Sequence, residues 1–171
     1  ESNDFEANSK MRLLEAKALR LHSTIHFHQL DYDKAITELN QAMQLINTPI
    51  DKMHAFELAD IMNYVGLAFE AQVNYPQAIE YFKKSFDLNI AFGRRNDAVI
   101  DLVNIGIAYR AGNALDSAVH YIERGVCVIE HNNLGLTLED SLAAFNTLTP
   151  LYVELAQRAR LQGEVAKANE Y

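Results

Sequence analysis

The chain has 171 residues, 49 % of them hydrophobic, and a formal net charge of −8. Its 3 Pro and 7 Gly are too few for an array of short strands, and its acidity argues against nucleic acid or an anionic membrane, which reward clusters of Lys and Arg. A single cysteine, Cys127, excludes an internal disulfide and fits the cytoplasm, no apolar run is long enough to cross a membrane, and the acidic start ESNDFEANSKM lacks a signal-peptide core.

In chain order, a first helix is expected over about 4–29, with Leu30-Asp31 opening the turn. Asp31 is a good N-cap for a partner helix to Ile46, where Ala35, Leu39, Ala42 and Leu45 recur at the helical period. TPID follows, with Thr48 read as N-cap, Pro49 at the first helical position and Asp51 two further on, so the next helix spans about 49–72. Asn74, with Gln77 behind it, caps a helix to about Ala91. Gly93 and RRND make the next break, helix five covers about 98–111, and GNALD turns the chain with Asn113 as cap of a helix ending near His131. Thr137 and Asp140 form a weaker capping box. Pro150 either kinks one long helix or starts a second one behind Thr149, and the near-continuous stripe Leu142, Phe145, Leu148, Tyr152 and Leu155 favours the kink. After Gly163 too few residues remain for a covering helix, so the last pair is expected to be incomplete, as in a piece of a longer protein. The pairs are therefore about 4–46, 49–91, 98–131 and 138–171, read as a single domain.

The small residues carry the organisation. Ser23 and Ala35 are twelve apart, as are Gly66 and Ala78, Gly106 and Ala118, and Ala156 and Ala168. Seven residues after the second member of the first three pairs stand Ala42, Ser85 and Gly125. Small side chains at fixed offsets in two helices let their backbones approach closely. The expected fold is all-α: a right-handed superhelical solenoid of antiparallel helix pairs.

These residues resemble the tetratricopeptide repeats. In 63–89, Val65-Gly66, Phe69, Tyr75, Ala78, Phe82 and Ser85 fall on the family's Leu-Gly, aromatic, Gly-Asp-Tyr turn, Ala, aromatic and Ala positions. In 104–125, Ile105-Gly106, Tyr109, Ala118, Ile122 and Gly125 do so, with one extra residue read into the turn. The first copy, 22–42, departs in placing His22 and His26 where a leucine and an aromatic are expected. The fourth offers Leu155-Ala156, Ala159, Gly163 and Ala168. Copies 43, 40 and 50 residues apart exceed the usual ~34, like the subclass with lengthened helices, whose linker 85–97 also resembles.

The resemblance implies a concave groove lined by the first helix of each pair and no chemistry of its own. Carried over, its lining is Lys17, Arg20, Thr24, Phe27 and His28, then Asp60, Asn63, Leu67 and Glu70, then Ile100, Val103, Ile107 and Arg110, then Val153, Gln157 and Arg160. The family's carboxylate clamp is mostly missing, because Arg20, Thr24, Tyr64, Ile100 and Asn104 stand at its positions. Leu67, Val103 and Ile107 would offer apolar contact, and Arg20, Asn63 and Arg110 would fix register. The partner expected is a protein or peptide, an amphipathic helix among them. The strip could instead meet a second copy in a homodimer, or another segment of the parent protein. A sensor or oligomerisation segment of a larger signalling protein is the competing reading.

Other candidates weigh less. His22 and His26 lie one turn apart and are read as core histidines, with His28 toward the groove. Without a carboxylate at matching offsets no metal site is assigned, and no cofactor. Cys127, even with His131 four residues on, reads as a small buried hydrophobe. Arg94 and Arg95 read as a solvated turn. Glu139 and Asp140 serve a helix start, and the repeated tyrosines serve packing. With no phosphate loop, HExxH or nucleophile elbow, no catalytic residue is assigned and no enzyme is expected.

Overall fold

The computed structural model describes residues 2–46 and 51–132, together with the helical positions 146, 150, 152–154, 156 and 157. Among the described residues there are helices and turns and no strand. Helices α1 (Ser2–His28), α2 (Tyr32–Leu45), α3 (Lys52–Ala71) and α4 (Tyr75–Ala91) belong to one compact unit, Glu1–Arg94. Helices α5 (Arg95–Ala111) and α6 (Leu115–Asn132) belong to a second, Arg95–Tyr171. None of the helices is long and apolar enough to cross a membrane, among the described residues.

In the first unit α1 packs on α2 and α3 on α4, and α3 also meets α1 and α2. Leu13, Ala16, Leu39, Ala42, Ile46, Leu58, Ile61 and Val65 form its core, edged by Leu19, Tyr64, Phe69 and Tyr81. The spacing of small residues works as expected. A Cβ built on Gly66 would stand 2.6 Å from Phe82 Cδ1, so the glycine is what lets the fully buried Phe82 ring lie against α3. In the second unit a Cβ on Gly106 would stand 2.3 Å from Ile122 Cγ1 and 3.1 Å from the Ala118 carbonyl oxygen. There Leu115, Ala118, Val119, Ile122 and Val126 form the core, with Val103, Tyr109 and Tyr152 packed against it. The Tyr152 hydroxyl donates to Glu123.

The turns follow one design. Leu30, Val73, Gly93 and Asn113 each have a positive φ, between 62° and 80°. The next residue's N–H bonds back five positions: Asp31 to His26, Asn74 to Phe69, Arg94 to Asn89, and Ala114 to Tyr109, at 2.8–2.9 Å. These are Schellman endings, which satisfy the last carbonyls of a helix through a left-handed residue. Asp31 and Asn74 then cap as expected, their side chains accepting from the Lys34 and Gln77 N–H groups.

Four boundary expectations change. Asp51, not Thr48, is the N-cap of α3, accepting from the His54 N–H at 3.0 Å, while residues 47–50 lie outside the described residues. Helix α5 begins at Arg95, because Gly93 already reverses the chain. Asn113 supplies the left-handed residue, and Ala114 takes the cap position, its carbonyl accepting from the Ala118 N–H. The 109–115 turn has the same length as 69–75, so the extra residue read into the third copy is not there. The expected capping box at 137–140, the 163–171 end and the Thr149 alternative fall outside the described residues; Pro150 itself is helical.

Candidate functional site

On α3, fully buried and half-exposed positions fall on separate faces. Ile61, Val65 and Ala68 are buried in the core stripe, while Asn63, Leu67 and Glu70, spaced four and three apart, share the adjoining half-exposed face. Leu67 does not join the half-buried residues that pack on the core cluster. Burial alone raises the Glu70 carboxyl above its ordinary range, and no cation or hydrogen-bond donor faces it among the described residues.

In the second unit Ile100 and Arg110 are exposed and Ile107 is half-buried, at the matching positions of α5. Val103 instead packs against the α6 core, so its expected role as a groove contact gives way to packing. Arg110 Nε donates to Glu154 at 3.3 Å. Gln157 is exposed.

The first-repeat positions are largely engaged. Arg20 Nε donates to Glu57 Oε1 at 2.5 Å, with side chains only 17 % and 4 % exposed, and the guanidinium lies 5.6 Å from the Tyr64 ring centre. Burial works to lower the Arg20 pKa, but the hydrogen bond and charge of Glu57, with the charge of Asp60, hold it above its ordinary value. Arg20 therefore ties α1 to α3 instead of waiting for a partner. Thr24 turns its hydroxyl back to the Leu21 carbonyl at 2.6 Å. His28 is exposed beside Phe27.

Arg94 is not the solvated turn residue expected. It donates to Asp60 Oδ1 at 2.7 Å and to the Phe56 carbonyl at 3.1 Å, with its guanidinium over the Phe56 ring. Glu57 and Asp60 of α3 thus lie between two arginines from α1 and the end of α4. Cys127 is exposed, against expectation, because Val126 takes the inward position of α6.

Two constellations escaped sequence reading. Ser9 Oγ lies 2.9 Å from His54 Nε2, and His54 Nδ1 lies 2.8 Å from Asp51 Oδ1. The atoms follow the order of a nucleophile, base and carboxylate relay. Ser9 and His54 are only 3 % and 5 % exposed, so no substrate carbonyl reaches the hydroxyl, and the set acts as a brace between α1 and the start of α3. Hydrogen bonds from His54 hold the Asp51 carboxyl below its usual range.

The second lies between α1 and α2. His22 is not a core residue; Ser23 takes the buried position, and His22 stands 57 % exposed. It meets Glu38 Oε1 at 2.7 Å, and His26 Nε2 meets the same oxygen at 3.4 Å. The capping pair Asp51-x-x-His54 was visible in the sequence, but the reach to Ser9 and Glu38 depends on how the helices pair.

No family model matches the sequence, and no curated protein matches it. The structure does have relatives. It superposes on the apo form of RapI with a TM-score of 0.75 at 15 % identity, over 92 % of this chain and 42 % of that one. The tetratricopeptide repeat sensor protein of the Signal Transduction ATPase with Numerous Domains class from Pyrococcus horikoshii gives 0.73 at 12 % identity, over 94 % and 24 %. The Sgt2 TPR domain from Aspergillus fumigatus gives 0.61 at 16 % identity, over 85 % and 82 %. The chain thus spans less than half the length of the first two. Antiparallel pairs closed by small residues, left-handed turns and these neighbours agree: the chain has the tetratricopeptide-repeat type of fold.

Proposed function

We propose that this chain is a protein-interaction module that holds a peptide or amphipathic helix against the first helix of a pair, and that it is not an enzyme. The carrying observation is the half-exposed face of α3 that Leu67 and Glu70 share beside the core stripe. Leu67 supplies apolar contact on α3. Glu70, desolvated and without a cation, favours a partner that brings a Lys or Arg beside its apolar side chains. Arg20 is removed from the binding set because Glu57 holds it. The reading extends to the lengthened subclass of the repeat, in keeping with the 43- and 40-residue offsets of the first copies, and to a cytoplasmic setting.

The test is fluorescence anisotropy with labelled amphipathic peptides bearing basic flanks. Binding should weaken at least tenfold, about 1.4 kcal/mol, in the variant Leu67→Lys. The new charge sits three residues before Glu70, so the helix should be kept. Unchanged affinity in that variant, or no binding by any peptide, counts against the proposal.

A second reading has its own observation. Met11, Leu14, Leu21 and Ile25 are exposed apolar residues on α1, spaced three, seven and four apart on one face. Such a stripe suits an oligomerisation or sensor segment of a larger regulatory protein, and one structural neighbour is itself named a sensor. Light scattering across a concentration series separates the readings: a dimer that Leu14→Lys and Leu21→Lys dissociate favours assembly, whereas a persistent monomer favours the groove.

A further inference from the structure

We propose that His22, His26 and Glu38 form a site for a zinc-class divalent cation, joining α1 to α2. The two histidines are one turn apart on α1, and the helix pairing brings Glu38 of α2 against both. His22 Nδ1 lies 2.7 Å and His26 Nε2 3.4 Å from Glu38 Oε1, and one ligand atom from each residue fits within 4.8 Å of the others. Tetrahedral zinc with bonds of about 2.0–2.1 Å places its donors roughly 3.3 Å apart. The present spacing straddles that value, and the exposed His22 ring is free to adjust by side-chain rotation.

The polar bookkeeping of the cluster points the same way. Among the described residues, Glu38 Oε2 is buried with no hydrogen-bond partner. One carboxylate oxygen serves two imidazoles while the other serves none. Buried polar atoms in folded proteins are nearly always satisfied, so an orphan oxygen beside two converging nitrogens calls for an explanation. A cation bound at the nitrogens and the carboxylate supplies it. Among the described residues the two histidines are the ion-pair partners of Glu38, so no Lys or Arg occupies the place. Two imidazoles and one carboxylate suit zinc and its neighbours in the first transition row, whereas magnesium and calcium favour all-oxygen sets. Three protein ligands leave a fourth position open to water or to a side chain of a partner.

The experiment is calorimetric titration of the whole chain with zinc chloride, in a Cys127→Ser background so that the exposed thiol takes no part. The expected result is one saturable zinc per chain, cobalt giving the intense visible absorption of four-coordinate geometry, and no heat with magnesium chloride. Glu38→Gln, which keeps the shape of the side chain, and His26→Ala should each lower zinc affinity about tenfold or more. His28→Ala should leave it unchanged, and circular dichroism checks that each variant keeps its helices. Zinc binding that ignores Glu38→Gln and His26→Ala, or its absence from the parent chain, would overturn the proposal and leave the cluster a hydrogen-bonded clasp.

Discussion

The second and third helix pairs, α3–α4 and α5–α6, are built alike where they pack and differ where they face outward. Gly66 lies against Phe82 and Gly106 against Ile122. Phe69 stacks on Tyr81 at 5.7 Å and Tyr109 on Tyr121 at 5.4 Å. Forty residues separate each matching position, yet on the less buried face Leu67 and Glu70 become Ile107 and Arg110. Close packing leaves little choice of volume, so the inner set is held. The less buried set is under less of that constraint and differs in side-chain chemistry between the two pairs.

The largest expected effect comes from the buried ion pair that ties α3 to α1. Arg20→Ala strands the buried Glu57 carboxylate, and the loss should be about 3 kcal/mol, read from urea unfolding midpoints. If Glu57→Gln in the same chain restores most of it, the cost is the orphan charge and not the lost packing of the arginine stem.

A smaller effect sharpens the comparison of the turns. Val73 holds a left-handed φ of 62° while 67 % exposed, and Asn113 holds 68° in the matching turn. A β-branched residue is strained there and asparagine much less so. Val73→Gly should therefore stabilise the chain by about 1 kcal/mol, and Asn113→Gly should change little. Equal effects at both positions would show that side-chain type does not set the strain.

The smallest effect concerns the start of α3. Asp51 has a folded pKa held below its ordinary 3.8 by His54, so its stabilising contribution is present above that value and is lost as pH falls through the folded one. Asp51→Ala should cost about 1 kcal/mol at pH 7, as a lost N-cap does. The difference from the parent chain should shrink below pH 4. A difference that grows on acidification would contradict the assignment.

Much of the fold was legible because it rests on local periodicity. Gly66, Gly106 and their partners twelve residues on state the packing of each pair, and Asp31 and Asn74 announce their helices. The failures have physical causes. Asn113 reads as a cap because asparagine favours both cap and left-handed conformations, and the turn had one use for it. Leu67 and Ile107 are half-buried, whereas Val103 packs on the α6 core and Arg20 pairs with Glu57, because periodicity gives the face of a helix and not its neighbours. Arg20–Glu57, Ser9–His54 and His22–Glu38 join residues 37, 45 and 16 apart, and only the pairing of helices reveals them.

The central claim, that Gly66 of α3 is a close-packed position and Leu67 beside it is not, is tested most directly at these two adjacent residues. Urea unfolding of Gly66→Ala and Leu67→Lys should give unequal losses. The alanine methyl has nowhere to go beside Phe82 and should cost about 1–3 kcal/mol, while the lysine should cost under about 1 kcal/mol. A loss at Leu67 equal to or larger than that at Gly66 would place Leu67 in the core and remove the groove face from α3.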